Sequence, residues 1–323
     1  MNILITGVAG FIGYHCALGL IKLKKKYNIY GLDNLNSYYD VKLKKDRLKI
    51  LNKYSNFNFN KIDITNKNKI EKIFKNKKIN IVINLAASAG VRYSLKNPET
   101  YLKNNINGFF NILELSVKYK IKHLLYASSS SVYGDSKKFP LHEETDTSKP
   151  LSFYAASKKC NEVMAYSFAN INNLPTSGLR FFTVYGEYGR PDMALYKFAT
   201  RIVENKKIDL YNKGNHIRDF TYIDDVINQI IKLINKPSRK KIPYEIYNIA
   251  SSKPIALKKY IKLIELNLDK KSKYKLLKKQ PGDVYKTYAS TKKIKRITNQ
   301  NKVTKLQIGI ERYIKWFKKY YFK

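Results

Sequence analysis

An α/β fold is predicted for this chain: a doubly wound parallel sheet followed by a smaller, mixed α/β lobe at the C-terminus. Three observations carry the prediction. Strand-like and helix-like patterns alternate through the first half of the 323 residues, as expected for parallel strands joined by right-handed crossovers. The first strand runs straight into a glycine-punctuated turn and then a helical pattern. Beyond about residue 180 the alternation loosens into shorter strands, turns and helices.

Asn2-Ile3-Leu4-Ile5-Thr6 is a short apolar run of strand type. Gly7-Val8-Ala9-Gly10-Phe11-Ile12-Gly13 follows, after which Ala17, Leu18, Leu20 and Ile21 recur at helical spacing. Strand, glycine turn and helix in that order make a phosphate-binding device. Glycines let the backbone turn tightly and approach a pyrophosphate, whose charge sits on the exposed amides of the helix N-terminus. The spacing is Gly-x-x-Gly-x-x-Gly, not the Gly-x-Gly-x-x-Gly of the usual dinucleotide fingerprint. Ile29-Tyr30-Gly31-Leu32 is a second strand and ends at Asp33, where a Rossmann-type sheet places a carboxylate on the adenosine ribose. That carboxylate repels a 2′-phosphate, so NAD is expected rather than NADP.

Phe57 to Ile62 reads as a third strand, leading to Asp63-Ile64. Ile79 to Leu85 is a fourth, followed by the small-residue turn Ala86-Ala87-Ser88-Ala89-Gly90. His123 to Ala127 is a fifth and runs into Ser128-Ser129-Ser130-Ser131; Thr176 to Arg180 is a sixth. Asp33, Asp63, Ala86, Ser129 and Thr183 therefore all lie at or just beyond strand C-termini, the edge at which open α/β sheets bind ligands. Later in the chain, Ile208 to Tyr211 and Ile217 to Thr221 read as small strands. Asp224 to Asn235, Ile255 to Leu266 and Thr304 to Tyr320 read as helices. The expected domains are 1–180, a dinucleotide-binding unit with a sheet contribution returning from about 215–250, and 181–323, mainly a substrate lobe.

Tyr154-Ala155-Ala156-Ser157-Lys158 carries the chemistry. On a helix, residues four apart share a face, so Tyr154 and Lys158 stand side by side. A free phenol has a pKa near ~10 and is no base at neutral pH. An ammonium beside it favours the phenolate, and a serine hydroxyl from the 128–131 run can share the substrate proton. This is a proton-transfer device for an alcohol and points to carbonyl/alcohol redox chemistry.

Composition narrows the remaining classes. No apolar run is long enough to span a bilayer, and the first strand begins at Asn2, so a cytoplasmic protein is expected. Cys16 and Cys160 match neither a metal site nor a disulfide framework, and His15, His123, His142 and His216 show no ligand spacing; no metal is expected. The net charge of +39 attracts polyanions whatever the fold. Yet Lys dominates over Arg and is scattered through almost every helix and loop, in short stretches such as Lys24-Lys25-Lys26 and Lys240-Lys241. It is read as a solvated surface without a specific nucleic-acid partner. Asp224-Asp225 is read as a helix cap, Glu143-Glu144 as a solvated loop, and Tyr320-Tyr321-Phe322 as terminal-helix packing.

With these residues in hand, the chain resembles, essentially end to end, the extended short-chain dehydrogenase/reductases that act on nucleotide sugars. The resemblance lies in Thr6 to Gly13, Ala127 to Gly134, Tyr154 to Lys158 and Arg218 to Asp225. Within that family it is most similar to the UDP-glucuronate 4-epimerases, in Asp33 to Val41, Ala89 to Ser94, Leu179 to Gly186 continuing to Gly189 to Ala194, and Gln280 to Val284. The resemblance implies Ser129, Tyr154 and Lys158 as the catalytic set. It implies NAD held by Gly7, Gly10, Phe11, Ile12, Gly13, Asp33, Asn34, Asp63, Ile64, Ala86 and Asn105 together with Tyr154 and Lys158. Arg218 would meet the nucleotide diphosphate, with Asp283 ordering that region. Arg190 would hold the sugar carboxylate, since a guanidinium fork matches it bidentately. Thr183, Ser130 and Ser131 would complete that pocket, and Arg92 is a second candidate for the anion. Asn105 and Asp63 also read as simple turn residues.

Departures from the family pattern bear on the sugar. Ser88 stands where these epimerases commonly carry glutamine, and Glu187-Tyr188 replaces the more usual Pro-Trp; both are expected to line the pocket. Ser130 and Ser131 occupy the places of the Asp-Glu pair that a related 4,6-dehydratase needs. The resemblance therefore implies conversion of UDP-glucuronate to UDP-galacturonate through a 4-keto intermediate, for a surface polysaccharide. It also implies a homodimer pairing helices near residues 98–118 and 153–171. The alternatives are a 4-epimerase of a neutral UDP-sugar (glucose or N-acetylglucosamine), a cofactor-sensing protein without chemistry, and a nucleic-acid-associated protein.

Overall fold

A computed structural model describes residues 1–23, 27–280 and 282–322; Lys24 to Lys26, Pro281 and Lys323 lie outside the described residues. The first half alternates β1 (Asn2–Thr6), α1 (Phe11–Ile21), β2 (Asn28–Asp33), α2 (Val41–Leu51), β3 (Phe57–Lys61), α3 (Lys67–Lys77) and β4 (Ile81–Asn84). Then come α4 (Val91–Lys96), α5 (Pro98–Tyr101), a π-helical turn over Leu102–Asn107, α6 (Gly108–Lys118), β5 (His123–Ser129), a 3₁₀ turn over Ser130–Tyr133, α7 (Phe153–Asn172) and β6 (Thr176–Phe181). The second half holds β7 (Thr183–Tyr185), α8 (Ala194–Val203), β8 (Lys207–Tyr211), β9 (Ile217–Tyr222), α9 (Ile223–Leu233) and β10 (Tyr244–Ile249). It ends with β11 (Pro254–Ala256), α10 (Leu257–Leu268), β12 (Lys273–Leu277), α11 (Lys292–Thr298) and α12 (Leu306–Tyr321).

Seven strands form one parallel sheet in the order β10-β6-β5-β4-β1-β2-β3. The order reverses between β1 and β4, which opens a crevice there at the strand C-termini. Alternation along the strands explains the two helical layers. Ile3 and Ile5 point to one face, where they join α1, α9 and the helices of the second half. Leu4 and Val82 point to the other, against Ile70 and Phe74 of α3 and Phe109, Ile112 and Leu113 of α6. Each such buried aliphatic or aromatic side chain contributes roughly 1.5–3 kcal/mol.

The second half does not build one sheet. β7, β9 and β11 make a three-stranded sheet, and β8 pairs with β12. Among the described residues of this half, only β10 joins the large sheet, parallel to β6. The helix expected from Ile255 starts at Leu257 because Ile255 pairs antiparallel with Arg218. Asp224 and Asp225 are not the cap: Tyr222 holds that position, and the Asp225 carboxylate accepts from Thr304 N–H and Oγ1, fastening the segment before α12. Tyr320 and Tyr321 pack on Trp316 and Phe317, as terminal-helix packing requires. Cys16 is buried and Cys160 half-buried, both free.

Candidate active site

The glycine turn is built to let backbone meet backbone. Gly7 has φ +68°, and a Cβ on it would lie 2.7 Å from the Ala86 nitrogen. A Cβ on Gly13 would lie 2.2 Å from the Gly7 carbonyl oxygen. Gly10 N–H donates to Gly7 O at 2.9 Å. Helix α1 then opens at Phe11 with no side-chain cap and no acidic residue in its first turn, leaving its amides for an anion. Ala86 sits at the β1/β4 crevice, its N–H bonded to Thr6 Oγ1. Phe11 is buried and Ile12 half-buried against this turn.

Asp33 at the end of β2 accepts from Ala9 N–H at 3.1 Å and Leu35 N–H at 2.8 Å. Burial raises its pKa; the Leu35 amide and the Lys44 ammonium pull it back. Two carboxylate oxygens offer about four acceptor sites, so room remains for ribose hydroxyls. Lys44, buried and bonded to Asn36 O at 2.7 Å, escaped the sequence reading. On the exposed-looking helix Val41–Leu51, its spacing from Arg47 was the only signal. Asp63 accepts from Asn34 Nδ2 at 2.7 Å and from Thr65 N–H and Oγ1. Burial works to raise its pKa, but those hydrogen bonds outweigh it and the shift is downward. Ile64 follows, buried, its carbonyl taken by Asn111. Glycine turn, uncapped helix end and Asp33 together fit a dinucleotide, with the adenosine end at β2 and β3 and the reactive end at β4 and β5.

Asn105 is bonded within the protein. Its Nδ2 donates to Ser88 O and Ser157 Oγ, and its Oδ1 accepts Ser88 N–H. With both donors committed and the residue 1% exposed, it struts the β4 loop against α7. Ser88 is thereby tied by its backbone, and its Oγ accepts from Asn104.

Ser129 is the last residue of β5, and its Oγ accepts Ser131 N–H. Tyr154 and Lys158 lie one turn apart on α7. The Tyr154 phenol is raised by burial, while the Ser129 hydroxyl and the Arg190 charge favour ionisation. Lys158 points its Nζ at Ala127 O, 2.9 Å away, and burial pushes it down to about 8. Ser129 and Arg190 act on the phenol, and Lys158, one turn along the same helix, bonds the backbone of β5. Ser130 and Ser131 are half-buried in the 3₁₀ turn that follows.

A small cavity of about 20 Å³ is lined by Phe11, Thr183, Gly186, Gly189, Arg190 and Met193 together with the buried Leu195, Phe220, Tyr260 and Tyr313; Arg190 links it to Tyr154 through its charge. Arg190 grips Asp192, Nε to Oδ1 at 2.9 Å, and its guanidinium lies 5.7 Å from the Tyr38 ring. Glu187 and Tyr188 do not line the cavity as expected. Glu187 accepts from Tyr222 OH, and the Tyr188 ring packs on Tyr14 and Trp316, so both brace the back of the loop. At the far end Arg92 reaches Asp283 at 3.5 Å and lies 4.3 Å over the Tyr211 ring. Arg218 donates to Val284 O and Tyr285 O; burial lowers it to about 10, with Asp283 opposing, so it stays cationic at neutral pH. Arg92, Arg218 and Asp283 form one charged corner.

Glu143 is half-buried, not solvated, and accepts Asn248 N–H at 2.9 Å. His123 is buried between Ile234 O and Ser177 Oγ, and His15 is bonded to Glu187 O. Among the described residues no group of three or more His, Cys, Asp or Glu is placed to hold a metal, and no helix is long and apolar enough to cross a membrane.

A doubly wound sheet with a glycine-turn dinucleotide site and a Ser-Tyr-Lys set at the same C-terminal strand edge fits a nicotinamide-dependent enzyme class acting on alcohols. The sequence pattern of the NAD dependent epimerase/dehydratase family matches residues 3–250, and the chain belongs to that family. It is 45% identical to Protein CapI of Staphylococcus aureus across 100% of both chains. It is 42% identical to a UDP-glucuronate 4-epimerase of Thermodesulfobacterium geofontis, over 98% of this chain and 95% of that one. The crystal structure of UDP-glucuronic acid 4-epimerase from Bacillus cereus with UDP-glucuronic acid and NAD superposes with a TM-score of 0.93. That match has 31% identity and covers 99% of this chain and 100% of the other.

Proposed function

We propose that the chain catalyses NAD-dependent 4-epimerisation of UDP-glucuronate to UDP-galacturonate through a transient 4-keto sugar, in the cytoplasm and for surface polysaccharide synthesis. The observation that supports this reading is that Ser129 at the C-terminal end of β5 and Lys158 of α7, bonded to Ala127 O, stand at the same sheet edge as the glycine turn, with Tyr154 one helical turn from Lys158 and under the charge of Arg190. Bound NAD would take up and return the C4 hydride. The protein's part is proton handling and orientation. Tyr154, ionised with help from Ser129 and Arg190, takes the C4 hydroxyl proton and gives it back after the sugar has turned. Ser129 bonds the C4 oxygen, and Lys158 carries positive charge at the ribose end. Ser130 and Ser131 are neutral hydroxyls, unable to protonate a leaving group at C6, so elimination has no acid. Thr183 and the two serines offer donors to the sugar carboxylate, and Arg92 and Arg218 face the diphosphate.

A neutral UDP-sugar is the second reading, favoured by one observation: Asp192 already neutralises the Arg190 fork. Product analysis with UDP-glucuronate and UDP-glucose presented separately, without added NAD, decides between them and tests whether cofactor co-purifies. UDP-galacturonate from the first alone supports the proposal; turnover of UDP-glucose alone rejects it. Exposed Phe110, Val163, Tyr166 and Ile171 on α6 and α7 support a homodimer through those helices. The lysine-rich surface is read as solvated, without a specific nucleic-acid partner.

A further inference from the structure

We propose that Glu162, clamped by Arg180, is a positioning residue that sets the end of β5 against α7; the idea rests on the epimerase reading above. Tyr154, Lys158 and Glu162 recur every four residues along α7 and so make one stripe. The stripe meets three consecutive residues of β5. Lys158 Nζ donates to Ala127 O at 2.9 Å and Ser128 Oγ donates to Glu162 Oε1 at 2.6 Å, while Ser129 stands where it favours the ionised Tyr154 phenol. Two of these rungs are the catalytic groups themselves. The third is buried behind them: Glu162 is 1% and Ser128 2% exposed.

Arg180 of β6 holds the same carboxylate as a fork, Nε to Oε1 at 2.8 Å and Nη2 to Oε2 at 2.9 Å. Its Nη1 donates to Glu143 O at 2.8 Å, and Lys159 Nζ approaches Glu162 Oε2 to 3.8 Å. The Arg180 guanidinium also lies 4.7 Å over the ring of Tyr133, the last residue of the serine turn, and Tyr133 OH donates to Asn248 Oδ1 of β10 at 2.6 Å. One connected polar network therefore ties α7 to β5, β6, β10 and the serine turn. Compared with an apolar pair of the same size, a buried ion pair adds little net stability. What it adds here is direction: the bidentate fork fixes where the Glu162 carboxylate stands, and that carboxylate fixes Ser128, the residue next to Ser129. A displacement of roughly 1 Å at reacting groups costs about 10²-fold in rate.

The test compares wild-type holoenzyme with Glu162→Gln and Ser128→Ala, reading kcat per mole of bound NAD, KM for the UDP-sugar, and the urea unfolding midpoint. The expected result is a fall in kcat per bound NAD of about 10- to 100-fold for Glu162→Gln and a smaller fall for Ser128→Ala, with KM within about twofold. Unchanged kcat per bound NAD in both variants, with any lost activity tracking cofactor content or folded fraction, overturns the proposal. If Glu162→Gln does not fold, Ser128→Ala, which removes one buried hydroxyl, decides alone. Wild-type enzyme that ignores UDP-glucuronate but epimerises a neutral UDP-sugar rejects the substrate reading only. The comparison then runs on that sugar, since neither residue reaches the substrate.

Discussion

Arg190 and Asp192, two residues apart on one loop, are locked by a bidentate ion pair, with Nε 2.9 Å from Oδ1 and Nη2 bonded to Oδ2. A uronate reaching Arg190 competes with a carboxylate already in the fork, or uses Nη1. Hydrogen bonds to charged groups contribute about 1.5–3 kcal/mol. Arg190→Met should therefore raise KM for UDP-glucuronate by about 10- to 100-fold while changing that for UDP-glucose little. A variant that epimerises both sugars as wild type does would remove Arg190 from sugar selection.

Tyr154→Phe deletes the proton carrier and leaves the glycine turn intact. Its kcat should fall by about 10²- to 10⁴-fold, while NAD released on denaturation stays stoichiometric with protein. NMR of the product mixture and absorbance of the released cofactor give the two readouts. Retained turnover would place the base elsewhere.

Lys158 makes stability depend on pH in a defined window. Burial lowers it from 10.5 to about 8 in the folded chain. Below pH 8 both states hold the proton and the desolvation penalty is fully felt. Between about 8 and 10.5 the unfolded state binds more protons than the folded one, so stability rises with pH. Unfolding free energies of cofactor-free wild type and Lys158→Met, from urea titrations, should diverge across that window by on the order of 3 kcal/mol, the wild type gaining. Parallel curves would show that the amine is not desolvated.

Gly13→Ala places a methyl 2.2 Å from the Gly7 carbonyl, a backbone atom that cannot swing aside. Overpacking of this kind costs about 1–3 kcal/mol, and the turn must open to relieve it. Co-purified NAD should be lost and the urea midpoint lowered. A loaded, wild-type-stable variant would show that the turn is not the cofactor cradle.

Val163 is 57% exposed on α7, near Tyr166 and the Phe110–Phe168 ring pair that bridges to α6. Val163→Glu should convert a dimer to a monomer in analytical ultracentrifugation. A wild-type monomer at micromolar concentration would reject pairing through this face.

What could be read from the chain alone was what neighbours in sequence decide. The Asn2–Thr6 strand, the glycine turn and the Phe11–Ile21 helix follow from local periodicity and backbone freedom, and they locate the dinucleotide end of the site. Tyr154 and Lys158 share a helical face for the same local reason. Tertiary structure alone decided where side chains with several possible partners went. Lys158 turned to Ala127 O, Asn105 to Ser88 and Ser157, and Arg190 to Asp192. Likewise Glu187 and Tyr188 turned away from the Arg190 cavity, and β10 joined β6 across a long stretch of chain. Long polar side chains and distant strand pairings have many near-equivalent local options, and only the packed chain, with its buried donors and acceptors needing partners, chooses among them.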